Sequence, residues 1–181
     1  MDRGEAPAVA GAGPRAEEPP MSAFELAQVN ISRLLAPLDS PQLKEFVAAL
    51  DPVNAVADAA PGFRWRLQGE AGDATAIRVF DDDWLIVNMS VWESPEALLA
   101  FVYGDAHRAI LRGRRQWFHH PVEAMTALWW VPAGHRPSVA EAEERLVHLR
   151  THGPSSHVFT LKPTSGFPPA PEHLGLQPRE S

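Results

Sequence analysis

Apolar and polar residues alternate from Phe24 to Leu34, with Ala27, Val29 and Ile31 on one side of an extended chain and Gln28, Asn30 and Ser32 on the other. The pattern predicts a strand with one polar face. After a turn at Pro37 to Ser40 the period lengthens. Pro41 takes a favoured first-helical position, and Leu43, Phe46, Val47 and Leu50 follow at helical spacing. Pro52 lacks a helical donor and crowds the carbonyl four residues back, so a kink or restart is expected there, with Asp51 as cap. Pro61-Gly62 then ends the helix.

A second strand is predicted from Phe63 to Gln68, placing Phe63, Trp65 and Leu67 opposite Arg64, Arg66 and Gln68. A Gly- and Asp-rich excursion follows, and Leu85 to Trp92 alternates again as a third strand, with Asn88, Ser90 and Trp92 on one side. Ser94-Pro95-Glu96 opens a helical segment that is interrupted near Gly104. Residues 126–131 (TALWWV) suit a buried fourth strand. Ser138 and Glu141 have capping-box spacing ahead of a last helix, which stops at Gly153-Pro154, and Val158 to Leu161 reads as an added edge strand.

Strand, helix, strand, strand, helix, strand is the order of an α+β, ferredoxin-like, antiparallel four-stranded sheet with helices on one face, here with an extra C-terminal helix. The apolar side, with Val29, Trp65, Val87 and Met89, is expected under the helices. Gln28, Asn30, Ser32, Arg64, Arg66, Asn88, Ser90 and Trp92 then occupy the opposite side. Solvent there would favour Lys, Glu and Thr over paired asparagines and a tryptophan. The expectation is therefore a homodimer, a dimeric α/β barrel in which two sheets face each other around polar, aromatic-rimmed pockets.

Length and composition set the outer limits. With 181 residues, the chain holds one domain with a real core. Its 18 prolines and 12 glycines concentrate toward the ends, so residues 1–20 and 163–181 are expected to be disordered tails around a domain spanning 21–162, with Met21 an alternative start. There is no cysteine, which removes disulfides and thiolate chemistry and suits the cytoplasm. The sequence contains no signal-like or membrane-spanning apolar run. A net charge of −7 argues against nonspecific nucleic-acid binding.

Two stretches, LAQVNISRL at 26–34 and LIVNMSVWESPEALLAFV at 85–102, resemble the dimeric α/β-barrel superfamily, which includes antibiotic-biosynthesis monooxygenases and haem-degrading monooxygenases. Residues 24 to about 162 resemble most a bacterial domain-of-unknown-function family of that superfamily, chiefly through PVNAVADAAPGFRWRL and WWVPAGHRPSVAEAEERL. The resemblance to the cofactor-independent monooxygenases implies catalytic roles for Asn30, Asn88 and Trp92. In that family the amides polarise the oxygens of a polycyclic phenol or anthrone, whose deprotonated form reduces dioxygen without a cofactor. Arg64 and Arg66 would anchor such a small aromatic substrate as an anion, with Gln28 and Ser90 beside them. The haem-degrading relatives imply an alternative in which haem binds and His107 ligates the iron. There Phe101 stands where a tryptophan belongs, and it is too close to His107 in sequence. His107 is otherwise a candidate general base, or a hydrogen-bonded core histidine. A third alternative is a noncatalytic ligand-binding module.

Other polar clusters carry less. His119-His120 suits a helix end. Glu144, His148 and His152 share one helix face, which a solvated helix end explains without a metal. Arg108, Arg112, Arg114 and Arg115 gather in a helix whose final turns favour positive charge.

Overall fold

The computed structural model describes residues 23–70, 72–161 and 166–171. Its elements are β1 (Phe24–Arg33), α1 (Lys44–Asp58), β2 (Phe63–Arg66), β3 (Leu85–Trp92), α2 (Pro95–Val102), α3 (Asp105–Trp117), β4 (Thr126–Pro132) and α4 (Val139–His152). A 3-10 turn at Pro41–Leu43 leads into α1. The strands pair antiparallel in the order β2-β3-β1-β4, which is the ferredoxin-like arrangement.

Two local expectations are corrected. α1 runs unbroken through Pro52. Phe46 and Leu50 before the proline pack with Leu43 and Trp117, and buried Ala57 follows it, so tertiary contacts on both sides outweigh one missing helical bond. In β2, Phe63 pairs with Trp92 and Trp65 with Val91, with a register shift between them. The bulge separates two rings expected on one side: Phe63 meets Trp92, while Trp65 joins the core around Val91.

The covering of the faces also differs from expectation. α1, α2 and α3 cover the polar side of the sheet. They are anchored at one end by Leu26, Trp92, Leu98 and Leu128 and at the other by Leu34, Leu43, Phe46 and Trp117. The apolar side, with Ala27, Val29, Val87, Met89, Val91 and Trp129, lies under α4 through Ala142, Leu146 and Leu149. The excursion between β2 and β3 completes this cover with fully buried Val79, together with Leu67, Ile77 and Phe80. The polar side thus lies within the protomer rather than at a seam between sheets, and helices occupy both faces.

α4 begins at Ser138, whose hydroxyl accepts from the Glu141 backbone N–H at 3.1 Å. The Glu141 carboxylate does not return the capping-box bond. It accepts from Trp129 Nε1 at 2.8 Å and pairs with His135. Burial pushes this carboxyl up, and those two bonds outweigh it, holding it below its ordinary range. The expected edge strand is a single bridge between Phe159 and Leu128. The 1–20 tail lies outside the described residues. Within 163–181, residues 166–171 are described and dock rather than hang free: Phe167 packs on Phe159, and Pro168 O accepts from Trp130 Nε1 at 2.9 Å.

Candidate functional site

Antiparallel pairing sets Asn30 directly opposite Asn88, and Gln28 opposite Ser90, on the polar side. Asn30 is half-buried. Its Nδ2 donates to Thr126 Oγ1 at 2.7 Å, and its Oδ1 accepts from Ser32 at 3.4 Å. Asn88 is the one exposed residue of β3. Its side chain has no hydrogen-bond partner among the described residues. The helices gather over the two ends of this face, and Asn88 sits between their apolar clusters with its amide open.

Ser90 and Trp92 lie along the same strand face and are both buried. Trp92 Nε1 donates to Ser90 Oγ at 2.9 Å, and Ser90 donates in turn to Gln28 Oε1 at 3.0 Å. This relay satisfies a buried indole N–H that would otherwise be costly. Phe63 meets the Trp92 ring edge-on at 5.4 Å, and Phe101 of α2 stacks on it at 5.2 Å and 27°. The same Phe101 ring lies 5.3 Å from the His107 imidazole. Phe101, in sequence only a poor match for a tryptophan, is the ring that joins α2, α3 and the sheet.

His107 sits in the first turn of α3, after the break at Gly104. Its Nδ1 is 3.1 Å from Val102 O, and since a carbonyl only accepts, Nδ1 carries the proton. Burial outweighs that bond and lowers the pKa of the ring below its ordinary value, so at neutral pH the imidazole is uncharged with a lone pair on Nε2.

Arg64 and Arg66 do not converge. Arg64 pairs with Glu25 at 3.4 Å and Glu93 at 3.0 Å, whereas Arg66 pairs with Asp58 of α1 at 2.8 Å and donates to Gly72 O. The bulge between Phe63 and Trp65 separates them, and both are engaged by protein acceptors. His119 and His120 are exposed beyond the end of α3. On α4 the rings of His148 and His152 lie 4.5 Å apart, and His157 stands 4.8 Å from His148. Among the described residues no group of three or more His, Cys, Asp or Glu is arranged to hold a metal ion. No helix among them is long and apolar enough to cross a membrane.

Sequence reasoning missed Thr126, which holds Asn30, and the joining role of Phe101. The first required strand register and the second the packing of two helices.

Comparison with curated proteins gives no match. Among solved structures, the chain is similar to SnoaB, a cofactor-independent oxygenase from Streptomyces nogalater, at 18% identity and a TM-score of 0.42, covering 63% of this chain and 97% of that one. It is likewise similar to a dimeric ferredoxin-like protein of unknown function from Thermobifida fusca, at 13% identity and a TM-score of 0.43, covering 65% and 99%. A family pattern described as Domain of unknown function (DUF3291) matches residues 25–173, so apart from Phe24 it takes in all eight elements and the polar sheet face, and the chain belongs to that family.

Proposed function

We propose that the polar sheet face under α1–α3 is a substrate site for an aromatic, phenolic or anthrone-like molecule, and that the protein is a small-molecule enzyme of the cofactor-independent monooxygenase type. The observation that carries this is the open side-chain amide of Asn88, exposed in a strand otherwise buried or half-buried. An amide kept free on a packed sheet face is available to donate to a substrate oxygen as negative charge develops there. Asn30 across the strand is a positioning residue, its amide already committed to Thr126. Phe101 is the aromatic wall, backed by the buried indole of Trp92 on which it stacks. His107 Nε2, uncharged at neutral pH, is the base that takes the substrate proton.

For a methylene between two aryl rings the reaction balances as one diaryl methylene plus one dioxygen giving one diaryl ketone plus one water. A C–H proton leaves to the base, the resulting carbanion-enolate gives electrons to dioxygen, a C–O bond forms, and the O–O bond breaks. The second methylene hydrogen and the proton held by the base leave with the other oxygen atom as water. This reaction is of the class described for SnoaB but rests on Asn88, not on that likeness. The arginines, held by carboxylates, leave Gln28 and Ser90 as the nearer polar neighbours of the substrate.

Haem, the alternative suggested by the resemblance, would be held through His107 Nε2. The lone pair suits an iron, but Phe101 lies against the imidazole and stacks on Trp92, filling that side with protein rings. As a homodimer the protein would self-associate through a surface other than the polar sheet face, which helices of the same protomer cover. The test is oxygen uptake with a panel of polycyclic phenols and anthrones. Uptake by the wild-type protein that falls at least 10-fold in Asn88→Ala supports the site, and equal uptake in both proteins overturns it.

A further inference from the structure

A groove of about 640 Å3 runs along the outer side of α2, between the end of α1, the Pro61-Gly62 turn and the start of α3. Of the residues placed at the polar sheet face, only Phe101 lines it. Its volume is that of a small-molecule site. Val56, Ala60, Ala97, Ala100 and Ala106 contribute short apolar walls. One wall is fixed: Gly62 has φ 78°, and a Cβ there would stand 2.6 Å from the Ala97 Cβ, so the turn is wedged against α2.

The charge at the groove is one-sided. Glu93 and Asp105 line it, and no Lys, Arg or His does. Arg64 reaches Glu93 from outside, and Asp105 lies in the first turn of α3. An anion would meet the carboxylate of Asp105, for which no ion pair is found among the described residues, and that of Glu93, which is paired with Arg64. A flat ring entering the groove would meet Phe101, whose opposite contact is the stacked indole of Trp92.

The geometry points to this groove as a binding site for a flat, apolar polycyclic molecule that is uncharged or cationic, with Phe101 as its aromatic floor. The site goes beyond the proposed function, since it needs neither Asn88 nor turnover. Its occupant extends the ring stack that ends on Trp92, so filling the groove is felt at the polar face.

The test uses the full chain and two fluorescent probes: proflavine, a flat three-ring cation, and 1-anilinonaphthalene-8-sulfonate, an anion. Saturable one-to-one proflavine binding is expected, with quenching of tryptophan emission and an affinity at least 10-fold above that of the sulfonate. Ala100→Trp from α2 and Val56→Trp from α1 each place a ring in the groove from an exposed position, so they should weaken proflavine at least 10-fold while the melting temperature holds. Unchanged affinity in both variants, or tighter binding of the sulfonate, overturns the proposal. A dimer that dissociates in both variants does so as well, since a second copy would then fill the groove. Asn88→Ala keeps proflavine binding intact, so loss of oxygen uptake in that variant is a separate result.

Discussion

Asn30 and Asn88 face each other across β1 and β3, yet only Asn30 is bonded: its Nδ2 reaches Thr126 at 2.7 Å, while the amide of Asn88 is open. Two identical side chains in one cross-strand pair therefore have different work. Asn30→Ala should cost about 1 kcal/mol of stability, the usual worth of one internal hydrogen bond. Asn88→Ala should leave the melting temperature unchanged and remove the oxygen uptake. Thermal unfolding of both variants separates them, and equal destabilisation would make Asn88 structural.

Trp92 is large, 1% exposed and closed in by Phe63 and Phe101. Trp92→Ala should cost about 3–5 kcal/mol through the cavity it leaves. Ser90→Ala keeps the packing but strands the indole N–H and Gln28 Oε1, at about 1–3 kcal/mol. Urea denaturation should rank the two in that order, with similar m-values.

His107 gives a pH dependence of definite sign. Its pKa lies below the ordinary 6.5, so between the two values the unfolded chain binds the proton and the folded one does not. Stability is full above 6.5 and falls as pH drops through that window toward the folded value. His157 shifts in the same direction, through burial and then the charges of Arg145 and His148, and adds to the slope. His107→Gln should therefore flatten, without abolishing, the loss of stability as the pH falls below 6.5. Identical slopes in variant and wild type would place the imidazole in water.

Adding haemin should give no Soret shift that depends on His107, because Phe101 already lies along the imidazole. A shift present in the wild type and lost in His107→Ala would move the protein to the haem-binding class.

Light scattering at micromolar concentration should give twice 19.9 kDa for the proposed homodimer. A monomer would remove self-association and leave the Asn88 site untouched, because that face lies inside one protomer.

Alternation in Phe24–Leu34 and Leu85–Trp92 is enough to place both central strands, because a period of two is a direct image of the pleat. The pattern tells which residues share a side. It is silent on what lies over that side. Leu26, Trp92 and Leu128 at one end of the polar face and Leu34 and Ile86 at the other are the anchors for α1–α3, yet within their own strands they read as mere ends of a polar row. α4 reads as an appendage because its stripe of Ala142, Leu146 and Leu149 is short, and only the sheet it lands on gives it weight. Asn30, Asn88 and Trp92 are legible as a same-face set. The engagement of Arg64 and Arg66 is not, since a bulge adds one residue without any mark in the pattern.

That extra residue ties the two halves of the molecule to a common count. Phe63 before it serves the layer beneath α2, and Trp65 after it serves the layer beneath α4. Neither layer can shift by one position along β2 without inverting the aromatic supply of the other. Deleting Arg64 would therefore take out the extra residue and leave an unbroken ladder, in which Phe63 opposite Trp92 and Trp65 opposite Val91 become strand neighbours that still point to opposite layers; both rings should be kept, and only the ion pairs of Arg64 with Glu25 and Glu93 lost.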